Sequence, residues 1–101
     1  MKKKIALLAS LDTKYQETMY AKSVLEAVGC QAVLIDMSTK TLEDRGADIR
    51  PDEILCAYGM SWEQFDPLGK ADSIETMAKA LAVAIPHFYR EGRFDGVISI
   101  G

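Results

Sequence analysis

Residues 4–36 read KIALLASLDTKYQETMYAKSVLEAVGCQAVLID, and the changes of hydrophobic period inside this stretch decide the fold. Lys4-Ile-Ala-Leu-Leu-Ala9 is a continuous apolar run bounded by polar residues, the pattern of a strand buried on both faces. Leu11-Asp12-Thr13-Lys14 then reads as a turn, and from Tyr15 the period becomes helical, with Ala21, Val24, Leu25 and Val28 on one stripe. Thr13 and Gln16 have capping-box spacing, which makes Thr13 the expected helix cap and Asp12 its competitor. Gly29 is placed to end the helix in a left-handed conformation. Gln31-Ala-Val-Leu-Ile-Asp36 is a second buried strand that closes on an acid. Strand, polar turn, helix, glycine and strand make a βαβ unit, whose strands are parallel and whose crossover is right-handed.

The rest of the chain extends this unit. Residues 37–50 lose all periodicity and carry a charged run from Lys40 to Arg45, so they read as a functional flap or a mobile excursion. Pro51 starts a helix that has Asp52 and Glu53 in its first turn and Gly59 as its stop. Ser61-Trp-Glu-Gln64 offers a second capping box for a short helix that Pro67 and Gly69 end. Asp72-Ser-Ile-Glu75 opens the longest helix, with an inner stripe of Ile74, Met77, Ala78, Leu81, Ile85 and Phe88 and a bend expected at Pro86. After the turn Glu91-Gly-Arg-Phe-Asp-Gly96, Val97-Ile-Ser-Ile100 reads as a third buried strand. The predicted fold is α/β: a Rossmann-like three-layer unit with a short parallel sheet in the order 2-1-3. Both outer edges of such a sheet lack partners, so residues 1–101 are expected to be an incomplete fragment: the N-terminal portion of a nucleotide-binding domain, ending after its third strand.

Composition narrows the function. An apolar share of 49% against 27% charged residues is the balance of a globular chain. A net charge of -3 gives no general attraction for nucleic acid or for an anionic membrane. Lys2-Lys3-Lys4 resembles the start of a signal peptide, but the apolar run behind it stops at Ser10, and no stretch approaches the roughly 20 apolar residues of a membrane span. Cys30 and Cys56 have no C-x-x-C spacing and a single histidine for company, so no metal site is expected. They read as two reduced cysteines packed as small apolar groups, in a cytoplasmic protein.

In open α/β sheets the ligand sits beyond the carboxyl ends of the strands. Asp12, Thr13 and Lys14 fall there, at a helix start whose free N–H groups favour an anion. Lys14 would act as a point charge on a phosphate, Thr13 would donate its hydroxyl, and Asp12 would accept from a ribose or hold a metal's water shell. The alternative is that Asp12 and Thr13 only cap the helix and Lys14 is solvated. Asp36 occupies the place of a ribose-binding acid or is an ordinary strand-end acid, and no G-x-G-x-x-G precedes it to admit a pyrophosphate. His87, Trp62, Phe65, Tyr58 and the charges Glu43, Asp44, Glu91 and Asp95 read as structural or solvated, and no Ser-His-Asp or Cys-His arrangement can be assembled.

Leu11-Asp12-Thr13-Lys14 after the first strand, Leu34-Ile-Asp36 closing the second, Ala47-Asp48-Ile49 before a helix, and Glu91-Gly92-Arg93-Phe94-Asp95-Gly96-Val97-Ile98 before a strand-final glycine form a combined pattern. It resembles the N-terminal part of an uncharacterised family, described as carrying an ATP-binding domain and related to the tomato mosaic virus resistance protein. The resemblance covers essentially the whole chain. It implies two Rossmann-like subdomains with ATP, and with it magnesium, near the strand ends, and it assigns Asp12, Thr13, Lys14 and Asp36 to that site. Tyr15 stands where the family commonly has glycine, and the family's glycine- and serine-rich loop after the third strand would lie beyond Gly101.

The leading functional expectation is therefore part of an ATP-binding domain, with a nucleotide as partner. Two alternatives remain open. One is an assembly module that forms a homo-oligomer or pairs through an exposed sheet edge. The other is a portion of a metabolic enzyme whose catalytic groups lie beyond residue 101, since nothing in the chain identifies a nucleophile or general base.

Overall fold

In the computed structural model, which describes residues 2–101, β1 (Lys4–Ala9) lies between β2 (Gln31–Asp36) and β3 (Gly96–Ser99). All three strands are parallel and the sheet order is β2-β1-β3, as the sequence predicts. Alternation along the strands divides two cores. Ala6, Val33 and Ile35 join the larger cluster with α2 (Pro51–Tyr58), α3 (Trp62–Phe65) and α4 (Lys70–Arg90). Leu7, Ala9 and Leu34 are buried on the opposite face, where α1 (Leu11–Ala27) packs on β1 and β2. The result is a three-layer, Rossmann-like α/β unit. Among the described residues no helix is long and apolar enough to cross a membrane.

Several local signals act as the sequence suggests. Gly29 adopts φ 88°, and the Cys30 N–H reaches back to the Leu25 carbonyl at 2.9 Å, which closes the exposed carbonyls of α1. Ser61 and Gln64 form the reciprocal capping box of α3. Pro51 opens α2 and Gly59, with φ 88°, ends it.

Other expectations are corrected. Leu11-Asp12-Thr13-Lys14 is not a turn ahead of the helix but its first turn: Ser10 occupies the N-cap position, and neither Thr13 nor Asp12 does. The helix relaxes at Lys14, whose φ of -121° and ψ of 26° are non-helical. The outer half of the expected α1 stripe faces solvent, with Val24 46% and Val28 72% exposed. α4 begins at Lys70 rather than at Asp72, and its buried line is Ser73, Met77, Ala80, Ala84 and Phe88. The small Ala80 and Ala84 let α2 approach closely, which rotates Ile74 outward to 54% exposure. α4 runs on through Pro86, which is itself exposed. β3 is not buried on both faces: Val97 and Ile98 remain 40% and 47% exposed. Cys56 is exposed and Cys30 half-buried, so neither is packed as a core residue.

The segment after β2 is anchored rather than loose along its whole length. Ile49 is fully buried and bridges Ile35 in parallel register. The Ile49 and Asp48 N–H groups donate to the Leu34 carbonyl at 3.0 and 2.9 Å, the Asp36 N–H donates to the Ile49 carbonyl at 2.9 Å, and the Leu34 N–H donates to Asp48 Oδ2 at 2.8 Å. The outer edge of β2 is therefore partly covered, contrary to the expectation of two unpaired edges. That edge needs this cover because a buried backbone donor or acceptor left without a partner is costly.

Candidate functional site

Ser10, Asp12, Thr13, Met37 and Thr39 meet at the carboxyl ends of β1 and β2, where open α/β sheets bind ligands. Together with α4 they line a groove of about 380 Å³. Its floor on the α4 side is apolar, made by Ile74, Met77, Ala78 and Leu81. Its charged groups are Asp12, Lys40 and Lys70. Thr39, Lys40 and Lys70 also border a second depression of about 280 Å³, which Asp66, Leu68 and Ser73 complete. One end of the joint concavity is thus basic and polar and the other apolar, a combination typical of small-molecule sites.

Of the four residues picked out by sequence, Asp12 and Thr13 line this groove and Lys14 does not. The Lys14 ammonium instead lies 3.6 Å from the Glu17 carboxylate, and its side chain is 43% exposed. The Thr13 hydroxyl lies 3.4 Å from the Ser10 carbonyl, a long contact that leaves it available to a stronger partner.

Asp36 has a different setting. It is 2% exposed, and its Oδ1 accepts from the Leu11 N–H at 3.1 Å, the Ser38 N–H at 3.0 Å and the Ser38 hydroxyl at 2.5 Å. Ser38, fully buried, in turn accepts from the Asp12 N–H at 3.2 Å. The Thr13 and Lys14 N–H groups both donate to the Ser10 carbonyl, at 3.1 and 2.8 Å. The Leu11, Asp12 and Thr13 donors at the start of the helix are thus satisfied within the protein, two of them through Asp36 and Ser38. The end of α1, where a Rossmann unit usually receives phosphates, is already closed by an acid of the chain itself.

Sequence reasoning missed Thr39, Lys40 and Lys70. Lys40 was absorbed into a charged run of the flap. Lys70 did carry a signal: it is the first residue of α4, where a cation meets the positive end of the helix dipole and is disfavoured unless an anion offsets it. Placing that helix start at Asp72 hid the signal.

The remaining groups do not converge on chemistry. His87 is exposed and lies 3.6 Å from Glu91. Phe65 is fully buried and packs at a tilt of 41° against the half-buried Trp62, with ring centroids 5.2 Å apart, so this aromatic pair belongs mainly to the core. Among the described residues no three His, Cys, Asp or Glu side chains converge to hold a metal. A wider depression, about 560 Å³, lies beside α2 and α3, and its charged lining consists of Asp52 and Glu63. An acidic lining repels phosphates, so size alone does not make it the better site.

Residues 3–101 match the model of a family described as "Uncharacterised protein family (UPF0261) N-terminal domain". A protein of Clostridium tetani (strain Massachusetts / E88) named "UPF0261 protein" is 31% identical over 104 residues, an alignment that covers 100% of this chain and 25% of the relative. The chain thus spans about a quarter of the length of that curated relative. Neither match mentions the tomato mosaic virus resistance protein or ATP. No solved structure matches the chain significantly. With nearly every residue inside the family model, the chain belongs to the UPF0261 family and corresponds to its N-terminal domain.

Proposed function

We propose that this domain contributes part of a nucleotide-binding site, with ATP as the nucleotide that the sequence resemblance implies. The observation that carries the reading is the groove at the carboxyl ends of β1 and β2, which Lys40 and Lys70 line together with an apolar wall of Ile74, Ala78 and Leu81. The two ammonium groups suit a phosphate chain as point charges, and the apolar wall suits a base. The Thr13 and Thr39 hydroxyls supply hydrogen bonds between the two ends. Asp12 lines the groove and Asp66 the adjoining depression beside Lys40 and Lys70, so magnesium would arrive with the phosphates and keep most of its waters. A cytoplasmic setting, where ATP is abundant, fits the two free cysteines. The proposal is binding and names no reaction.

Isothermal titration of the protein with ATP, with and without magnesium, tests this. Saturable binding that weakens when Lys40 and Lys70 are replaced by alanine is the expected result. Absence of heat at millimolar ATP, or binding indifferent to both lysines, removes the proposal.

A second reading is supported by β3. Its Val97 and Ile98 are partly exposed and its outer edge has no strand partner among the described residues. Such an edge is a template for pairing with another chain, as in a homo-oligomer. The two readings are compatible, because β3 and the groove occupy different places on the sheet.

A further inference from the structure

We propose that Asp36 is a specificity-determining positioning residue, an internal anion that occupies the phosphate seat at the start of α1 and sends a ligand's phosphates to the Lys40–Lys70 end of the groove. The direction of the ligand rests on the nucleotide reading above; the occupied seat does not.

The seat is built from three donors that converge on a single oxygen. The Leu11 N–H, the Ser38 N–H and the Ser38 hydroxyl all reach Asp36 Oδ1, and the Asp12 N–H is held by Ser38 Oγ. In a nucleotide-binding βαβ unit such donors at the first helix are left open, and a glycine-rich turn lets the pyrophosphate come close. Here the turn Ser10-Leu11-Asp12-Thr13 has no glycine, and the carboxylate of the second strand fills the opening from within. A phosphate brought to this end would meet a like charge and find the Leu11, Asp12 and Thr13 N–H groups already engaged. At the other end of the groove Lys40 and Lys70 carry the opposite charge, and α4 begins at Lys70 with no side-chain cap. The ligand class follows: a compound with one phosphate chain and one uncharged end, laid with the uncharged end toward Ser10–Thr13. A dinucleotide, whose central pyrophosphate has to sit at the first helix, is excluded by the same arrangement.

The test is a titration of ¹⁵N-labelled protein with tripolyphosphate, followed by amide shifts, for wild type and for Asp36→Gly. In wild type the amides of Thr39, Lys40 and residues 70–72 should move while Leu11, Asp12 and Ser38 stay still. In Asp36→Gly the amides of Leu11, Asp12 and Ser38 should respond as well, and overall affinity should rise by about tenfold as charge-assisted hydrogen bonds become available. Acetate, which has the shape of the deleted side chain, should compete at that new position and have no effect on wild type. A folded Asp36→Gly whose Leu11 and Ser38 amides ignore both anions overturns the inference, as does a wild type that responds at Leu11 and Asp12. If Asp36→Gly does not fold, Asp36→Asn decides. It keeps the acceptor and loses the charge, so it should bind tripolyphosphate about threefold more tightly, and equal or weaker binding overturns the inference. Silence of wild type at every amide, together with a response of Asp36→Gly at Leu11 and Ser38, removes the nucleotide reading and leaves the occupied seat standing.

Discussion

The backbone N–H of Leu11 donates to Oδ1 of Asp36 at 3.1 Å, across 25 residues of sequence, so the start of the first helix is closed by the end of the second strand. Both partners are almost wholly buried, Leu11 at 1% and Asp36 at 2% exposure. Buried donors that lose their acceptor pay their full desolvation cost, which exceeds the net worth of the bonds themselves. Asp36→Ala strands the Leu11 N–H and both donors of Ser38, and should cost about 3 kcal/mol in urea unfolding. Asp36→Asn retains an acceptor and should cost about 1 kcal/mol. Equal losses for the two variants would show that the charge, rather than the acceptor, holds the loop.

The pairing of Ile49 with Ile35 divides the long segment after β2 into two parts. Asp48 and Ile49 donate to the Leu34 carbonyl, and Ile49 is fully buried, whereas Lys40, Glu43, Asp44 and Gly46 are exposed. Opening of a backbone bond tracks the burial around it. The Ile49 amide should therefore exchange with solvent as slowly as those of β2, and the amides of residues 43 and 44 far faster. Uniformly fast exchange across residues 37–50 would return the whole segment to a mobile flap.

Much of the fold is legible because its signals are local. Gly29, Pro51, Gly59 and the Ser61–Gln64 box each fix a boundary by their own backbone chemistry. The start of α1 and the inner face of α4 are not local. Thr13 and Gln16 have capping-box spacing, yet the helix starts earlier because Asp36 and Ser38, distant in sequence, satisfy the donors that a cap would have served. Ile74 is more hydrophobic than Ser73, but Ser73 lies on the buried line of α4, beside a depression lined by Thr39, Asp66 and Leu68, and Ile74 does not. Asp12 and Thr13 could be found for the site from the strand-end rule alone. Lys40 and Lys70 could not, since their meeting depends on where a loop without periodicity runs.

That meeting gives a graded expectation for the three lysines. Lys40 and Lys70 line the groove, and Lys14 is engaged with Glu17 outside it. Lys70→Ala and Lys40→Ala should each weaken ATP binding by about 1–3 kcal/mol, the range for losing a charged hydrogen bond. Lys14→Ala should change it by less than about 0.5 kcal/mol, in keeping with an exposed ion pair. Titration calorimetry of the three variants ranks them, and a dominant effect at Lys14 would move the phosphate back to the start of α1.

Ile98 tests the assembly reading without touching the groove. It sits on β3 with 47% exposure, opposite Leu7 in the parallel register, and it does not line the strand-end groove. Because it is half open to water, Ile98→Lys should cost no more than about 1 kcal/mol of stability, far less than truncation of the fully buried Ile35. A lysine on an edge strand is a standard obstacle to pairing with a second sheet, since its charge would have to be desolvated against the incoming chain. If β3 pairs between copies, wild type should sediment as an oligomer at tens of micromolar and Ile98→Lys as a monomer, with ATP affinity unchanged. A wild type that stays monomeric removes the edge from consideration. An oligomer that survives Ile98→Lys would place the contact elsewhere, and the exposed Tyr20, Val24 and Val28 of α1 would then be the next surface to alter.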